Sequence, residues 1–478
     1  MTLSPLEGLA RRATHKALRG ACGALASGLL ALVLAWPTVS RAQATPAADD
    51  LDERMRAAFL YGYPYYELMW LRHQALANDK SLTYTGQVDR LRHQRHLATP
   101  EDRWANGPIN DTFYSTAWLD LGASPVLLSL PDTADRYYVL VLISADGNSF
   151  EYFGRRNTGP QARKVVIVGP GWKGPLPAAD QVVQAPTRDV YVNMRVLVRD
   201  PADIARAHSV QDGFAFTPLE PAARSEGPRL APIGGDVERM IGIINEAIAR
   251  NPPPAGEAPL LERHRSVGIC GAACRWGDLS PALQARWRTL APALVAQFKT
   301  ALDVDRRDMP RVNGWIPFRL PRSFGSNYRM RAGSAANSGG IFGLEAAEAS
   351  YFFGVADGTH EAFGQGRRYR LQRPAGSLPA DAFWSVTLYE LHPEGHYLLP
   401  NPIERYSITD RTPGLRRNAD GSLDIWIQPS APKQDERRAN WLPSPRASRF
   451  LLNARLYQPR AEALDPKWVM PAVERLGP

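Results

Sequence analysis

Hydrophobic periodicity changes twice along this chain, and that change constrains the fold more than any other feature. From about 104 to 200 the apolar period is two. Val190, Val192, Met194, Val196 and Val198 alternate with Tyr191, Asn193 and Arg195, the pattern of a half-buried strand. Residues 136–144 and 164–168 read as further strands, punctuated by Asp146-Gly147, Thr158-Gly159-Pro160 and Gly169-Pro170-Gly171. Between about 201 and 310 the period lengthens to that of a helix. Val237, Met240, Ile241, Ile244, Ala247 and Ile248 form one apolar stripe with Asp236 placed as its cap. Asn251-Pro252-Pro253-Pro254 ends that helix, and 251–279 reads as a linker. Ser280-Pro281 opens another helix, on which Leu283, Trp287, Leu290, Leu294 and Phe298 share a face and Pro292 predicts a kink. From 311 strands return, at 351–355, 383–388, 423–427 and 450–457, with a hairpin turn expected at Ala419-Asp420-Gly421-Ser422. Ahead of all this, 50–79 reads as helical, divided by Pro64.

The order is β, then α, then β. Without regular β-α-β alternation a doubly wound parallel sheet is disfavoured. No G-x-G-x-x-G or P-loop occurs, and no G-x-S-x-G elbow. The expected architecture is mainly β with a helical insert. A helical lead-in spans 45–103, a first sandwich 104–220, a helical section 221–310 and a second sandwich 311–478. The 41 prolines and 38 glycines suit the turns of two such sandwiches.

The N-terminus carries a basic stretch ending at Arg19, an apolar run from Ala21 to Trp36, then Pro37 and Ala42-Gln43-Ala44. That order is a secretory signal peptide cleaved after Ala44, with a signal anchor as the competing reading. The general secretory route is favoured over the twin-arginine route, since no apolar pair follows Arg11-Arg12. The expected destination is periplasmic or secreted, with no stable membrane span after cleavage. Residues 1–44 hold Arg11, Arg12, Lys16, Arg19 and Arg41 against Glu7, so removing them takes the net charge from +9 to +5. No basic run remains that would grip phosphates, which argues against nucleic acid. Of three cysteines, Cys270 and Cys274 survive cleavage. Outside the cytoplasm they read as a disulfide, with a metal site including His264 as the sharper alternative.

Two blocks carry a family likeness. The first is Asn106-Gly107-Pro108-Ile109-Asn110-Asp111-Thr112-Phe113-Tyr114-Ser115, continued by Ala117-Trp118-Leu119-Asp120-Leu121. The second runs from Phe383-Trp384-Ser385-Val386-Thr387-Leu388-Tyr389 through Asn401-Pro402-Ile403-Glu404-Arg405-Tyr406 to Asn440-Trp441-Leu442-Pro443 and Arg455-Leu456-Tyr457. Together they resemble bacterial exported proteins that pair domain of unknown function 1254 with domain of unknown function 1214. The resemblance implies an N-terminal immunoglobulin-like sandwich, a helical section and a C-terminal jelly-roll-like sandwich. It supplies no settled reaction, cofactor or catalytic residue.

Candidate site residues fall in three groups. Asp111, with Asn110 and Tyr114, offers a general base or sugar ligand; Asn and Asp before a strand also make structural turns. Glu345 and Glu348, three apart, would share a helix face and supply paired carboxylates, with Tyr328 and Arg331 beside them; pairing with Arg329 or Arg331 is the structural alternative. Asn401, Arg405 and Tyr406 would hold an anion, and Trp441 a sugar ring, unless Arg405 pins a loop and Trp441 anchors the core. No metal or cofactor motif accompanies them, so none is expected. The expected activity is hydrolysis or lysis of a glycan or small polar compound in a cleft between the sandwiches. The alternative is a non-catalytic ligand-binding or envelope-associated module. The sequence sets no oligomeric state.

Overall fold

β-Branched and aromatic residues at alternate positions build two sandwiches, each closed on its own apolar interior. The computed structural model describes residues 47–220, 227–232, 235–301, 310–336, 343–374 and 378–477; the expected signal peptide lies outside them. The first sandwich comprises β1 (Arg92–His93), β2 (Thr112–Asp120), β3 (Val126–Leu130), β4 (Tyr138–Ser144), β5 (Ser149–Gly154), β6 (Arg163–Val168), β7 (Gln181–Gln184), β8 (Asp189–Leu197) and β9 (Ala215–Pro218). Its sheets run β1-β2-β8-β4-β5 and β7-β6-β3-β9. The second comprises β10 (Trp315–Phe318), β11 (Ala349–Gly354), β12 (Tyr369–Arg373), β13 (Ala380–His392), β14 (Gly395–Leu398), β15 (Ser407–Thr409), β16 (Leu423–Gln428), β17 (Trp441–Pro443), β18 (Phe450–Pro459) and β19 (Val473–Arg475). Its sheets run β10-β11-β18-β13-β14, with β15 also on β13, and β17-β16-β12-β19.

Phe113, Leu140, Val192 and Met194 meet Leu128, Val165 and Ile167 inside the first sandwich. Trp384, Val386, Leu452 and Leu456 meet Leu371, Ile425 and Ile427 inside the second. The expectation of a half-buried β8 needs correction here, because every residue from Asp189 to Leu197 is buried. β2 and β18 are likewise buried throughout. The helices and the opposite sandwich cover the faces that the alternation assigns to water.

The helices of eight residues or more among the described residues are α1 (Ala47–Leu76), α2 (Ile204–Asp212), α3 (Val237–Arg250), α4 (Ala258–Arg265), α5 (Pro281–Ala301) and α6 (Tyr328–Ala336). α1 continues through Pro64, where the sequence predicts a division, and α5 runs through Pro292. Burial of Phe59, Tyr63, Met240, Ile244, Trp287 and Phe298 in one cluster with Trp118, Val139 and Val141 offsets the hydrogen bond each proline removes. Asp236 caps α3 by accepting from the Glu238 N–H at 3.0 Å. The expected linker at 251–279 is instead folded onto α3 and contains α4 and short 3-10 turns. Asn245 Oδ1 accepts from the N–H groups of Cys270 and Gly271, both at 3.0 Å, and Cys270 is bonded to Cys274. His264 lies 5.4 Å from the Tyr61 ring, and burial, aided by Arg263, pushes it down to about 4.

A buried ion network joins helices to sandwich. Arg250 bonds Asp189 through Nε at 2.6 Å and also pairs with Asp120. Arg72 lies 3.3 Å from Asp189, and Arg188 lies 2.8 Å from Asp120. Asp89 accepts from the Asp120 N–H at 3.3 Å. Burial, with the Asp120 charge added, pushes Asp89 up to about 7 against that hydrogen bond.

Two outcomes follow from this scaffold. The folded state holds the Asp89 proton to a higher pH than the unfolded chain does, so stability declines as pH rises from about 4 to about 7 and levels off above. In Asp89→Asn that decline should shrink when melting is compared at pH 5 and pH 8; an unchanged profile refutes the assignment. Opening the Cys270–Cys274 loop by Cys274→Ser should cost about 2 kcal/mol on the chain-entropy scale, read by urea unfolding.

Candidate functional site

The outer face of each sandwich's larger sheet presents polar side chains to the other. In the first sheet Tyr114 and Arg195 are cross-strand partners on β2 and β8. In the second, Tyr351, Arg455 and Ser385 form one row across β11, β18 and β13. The next row toward one end holds Tyr457 with Phe383, and toward the other Asn453 with Thr387. Directly opposed residues of an antiparallel pair share a face, so these rows line one layer. Its two arginines stand on the middle strands of their sheets, in Asn193-Met194-Arg195 and Asn453-Ala454-Arg455.

Arg195 and Arg455 are each 2% exposed. Arg195 donates to the hydroxyls of Tyr351 and Tyr457, both at 3.4 Å, and lies 5.3 Å over the Tyr114 ring. Arg455 donates to Thr387 Oγ1 at 3.0 Å, to the Tyr389 hydroxyl at 2.8 Å and to the Gly107 carbonyl at 3.2 Å. Among the described residues no carboxylate is in ion-pair contact with Arg455, and its Nε has no hydrogen-bond partner. Burial would lower its guanidinium, but Tyr389, Tyr457 and Asp111 outweigh that and hold it above its ordinary value.

Asn106 to Asp111 straps the first sandwich to the second. The Gly107 N–H donates to the His396 carbonyl at 3.0 Å, and Asn106 Oδ1 accepts from the His396 N–H at 3.2 Å. Tyr389 donates to the Pro108 carbonyl at 2.8 Å. Gly107 has φ +64°, and a Cβ there would fall 2.8 Å from His396 Nε2, so glycine is favoured. The strap delivers Asp111, 2% exposed, to the edge of the layer. Its Oδ1 lies 3.5 Å from Arg411, which sits 4.5 Å over the Phe383 ring, while Oδ2 has no hydrogen-bond partner among the described residues.

Each sequence candidate has a definite place. Asp111 and Tyr114 reach the layer, whereas Asn110 turns away and donates to the Ala98 carbonyl at 2.7 Å. Glu345 and Glu348 precede β11 on a turn instead of sharing a helix face. They converge on neither Arg329 nor Arg331 but on Arg156, whose Nε lies 2.8 Å from Glu348 and which also pairs with Glu345. Tyr137 donates to Glu348 at 2.9 Å, so the triad ties β4 to β11 across the sandwiches. Burial raises the Glu348 carboxyl despite Arg156 and Tyr137. Arg331 is buried, bonding Asp146 at 2.9 Å and the Tyr61 carbonyl at 3.1 Å, with Tyr328 against its guanidinium at 4.9 Å. Asn401 closes a local turn by accepting from the Arg405 N–H at 3.1 Å. Arg405 pins a loop through the carbonyls of Ala439 and Trp441, both at 3.0 Å. Trp441 is buried and donates to the Gln428 carbonyl at 2.8 Å, and Tyr406 packs beside Tyr389 and Leu398. These four stand apart from the layer's arginine rows.

Sequence reasoning missed Arg195, Arg455, Tyr351, Tyr389 and Tyr457. The available signal was the repeated Asn-x-Arg in two strands of the same alternation. Among the described residues no group of three histidine, cysteine, aspartate or glutamate side chains is arranged to hold a metal, and no helix is long and apolar enough to cross a membrane.

Two family models match the chain, each described as a protein of unknown function: DUF1254 over residues 88–218 and DUF1214 over 348–461. No curated protein matches at a significant level. The crystal structure of the VPA0106 protein from Vibrio parahaemolyticus superposes with a TM-score of 0.65 at 20% identity, covering 89% of this chain and 100% of that one. A putative uncharacterized protein from Burkholderia cenocepacia gives 0.44 at 12% identity, over 90% and 96%. The Vibrio likeness shows a shared fold. With the two matched segments falling one on each sandwich, the chain belongs to the proteins that pair a DUF1254 domain with a DUF1214 domain.

Proposed function

We propose that this is an exported protein that takes a small polar compound bearing an anionic group into the layer between its sandwiches. One observation carries the reading: Arg455 is buried, and its hydrogen-bond partners among the described residues are hydroxyls and a carbonyl, not a carboxylate. Asp111 balances this charge only from beyond ion-pair contact, and a bound oxyanion would accept from the donors that Thr387, Tyr389 and Gly107 leave free. Arg411, with Asp410 at 2.7 Å, stands at the partly exposed rim and marks the way in. The basic, apolar, A-x-A order of residues 1–44 supports export, and the Cys270–Cys274 bond is compatible with it.

Binding without turnover is the form this geometry favours. Two free carboxylates flanking a bond would suit glycoside hydrolysis, but Glu345 and Glu348 are both committed to Arg156. A hydrolase or lyase acting on a glycan or small compound is the second reading, supported by Asp111 Oδ2, which has no hydrogen-bond partner among the described residues, as a general base.

Acetate and inorganic phosphate serve as probes. Either should raise the melting temperature in a concentration-dependent way, reflecting about 2.7 kcal/mol of added stability at a hundredfold excess over Kd. Arg455→Gln should lose the response and Arg455→Lys should weaken it; responses equal to the parent in both variants refute the site. A substrate screen in which Asp111→Asn abolishes turnover but not binding would establish the enzyme reading instead. Removing Arg156 by Arg156→Met strands two buried carboxylates and should destabilise by about 3–5 kcal/mol in urea unfolding. A neutral effect there would free the glutamates for chemistry.

A further inference from the structure

Asp111 and Arg455 are opposite charges in one buried layer; Asp111 acts on Arg455, and both act on Tyr389 and Tyr457. Buried opposite charges attract strongly, because little solvent screens them. Yet these two stop short of ion-pair contact. Asp111 is drawn to Arg411 at the rim, while Arg455 is pinned by Thr387, Tyr389 and the Gly107 carbonyl. Each retains an atom without a hydrogen-bond partner among the described residues: Asp111 Oδ2, an acceptor, and Arg455 Nε, a donor. Ser385 Oγ, fully buried and in register with Arg455, is a third such atom and can serve either role. Buried polar groups in native proteins are nearly always satisfied, so three in one layer call for an occupant.

We infer that the occupant is a small acid that also carries a hydrogen-bond donor next to its acid group, a hydroxy acid or an amino acid. This rests on the binding site proposed above and adds its selectivity. The acid oxygens complement Arg455. The hydroxyl or ammonium hydrogen is donated to Asp111 Oδ2, and Ser385 Oγ completes the remaining hydrogen bond. A plain carboxylic acid satisfies the arginine but leaves Asp111 unpartnered, a difference that a site built for a donor reads strongly. A neutral polyol satisfies Asp111 but leaves the guanidinium without its anion.

Acetate, glycolate and glycine carry these groups and little else, so they test the inference directly on the mature full-length chain. Dissociation constants come from calorimetric titration. Glycolate or glycine should bind at least tenfold more tightly than acetate, and which of the two does so separates a hydroxyl donor from an ammonium. Asp111→Asn should compress that preference below threefold. Ser385→Ala, which leaves every charge in place, should reduce it as well and carries the comparison if Asp111→Asn does not fold. Equal affinities for all three acids, or a preference that survives both substitutions, overturns the inference while leaving the anion site standing. If none of the three binds and phosphate also fails, water alone fills the layer, and the site falls together with its selectivity.

Discussion

The arrangement turns on the double burial of two central strands. β8 and β18 each serve one sandwich interior with one face and the contact between sandwiches with the other. A sheet face exposed to water imposes little on its polar residues, since solvent satisfies them. Once that face is covered, every polar atom on it needs a protein or ligand partner. Arg195 and Arg455 are the largest such obligations. The tyrosines opposite them, the strap carbonyls and Asp111 are placed where those obligations can be met. The layer between the sandwiches is therefore more than filler between two independent domains, and its polarity dictates its chemistry.

Rigidity around the layer comes from separate devices. The Arg156–Glu345–Glu348–Tyr137 group fastens β4 to the start of β11. The Asn106–Asp111 strap fastens the beginning of β2 to the β13–β14 hairpin. The Arg72–Arg250–Asp120–Asp189 network fastens α1 and α3 to the ends of β2 and β8. Each joins charged or polar groups that would be expensive to bury singly, and each pins a different edge of the same surface. Buried ion pairs contribute little net stability but are costly to break, which suits them to fixing register more than to adding stability.

Much of the fold was legible in the sequence because periodicity reports local structure directly. The β-α-β order, the Asp236 cap and the turn-rich composition all rest on neighbours along the chain. The misreadings share a cause: periodicity records which residues are apolar, not what covers the rest. Val190 to Val198 alternate as a half-exposed strand does, yet Arg195 bonds Tyr351 and Tyr457 of the other sandwich. Pro64 signals interruption locally, and packing across α1, α3 and α5 overrides it. Glu345 and Glu348 show a helical spacing, but a turn brings both to Arg156, nearly two hundred residues earlier in the chain.

The legible part of the site differs from the hidden part in the same way. Asp111 and Tyr114 stood out because they sit in a dense polar block beside a strand. Arg195 and Arg455 did not, because a single arginine among alternating apolar residues looks like an ordinary solvated position. Only pairing reveals that the two strands carry the same Asn-x-Arg triplet at the centres of facing sheets. Arginine is the residue for which this matters most: it keeps its charge under burial where lysine or histidine would shed a proton. A neutralised lysine could rest in such a layer without a partner, but a guanidinium cannot. Placing arginine on a doubly buried strand therefore commits the fold to supplying an acceptor, from its own carbonyls and phenols or from a molecule that enters.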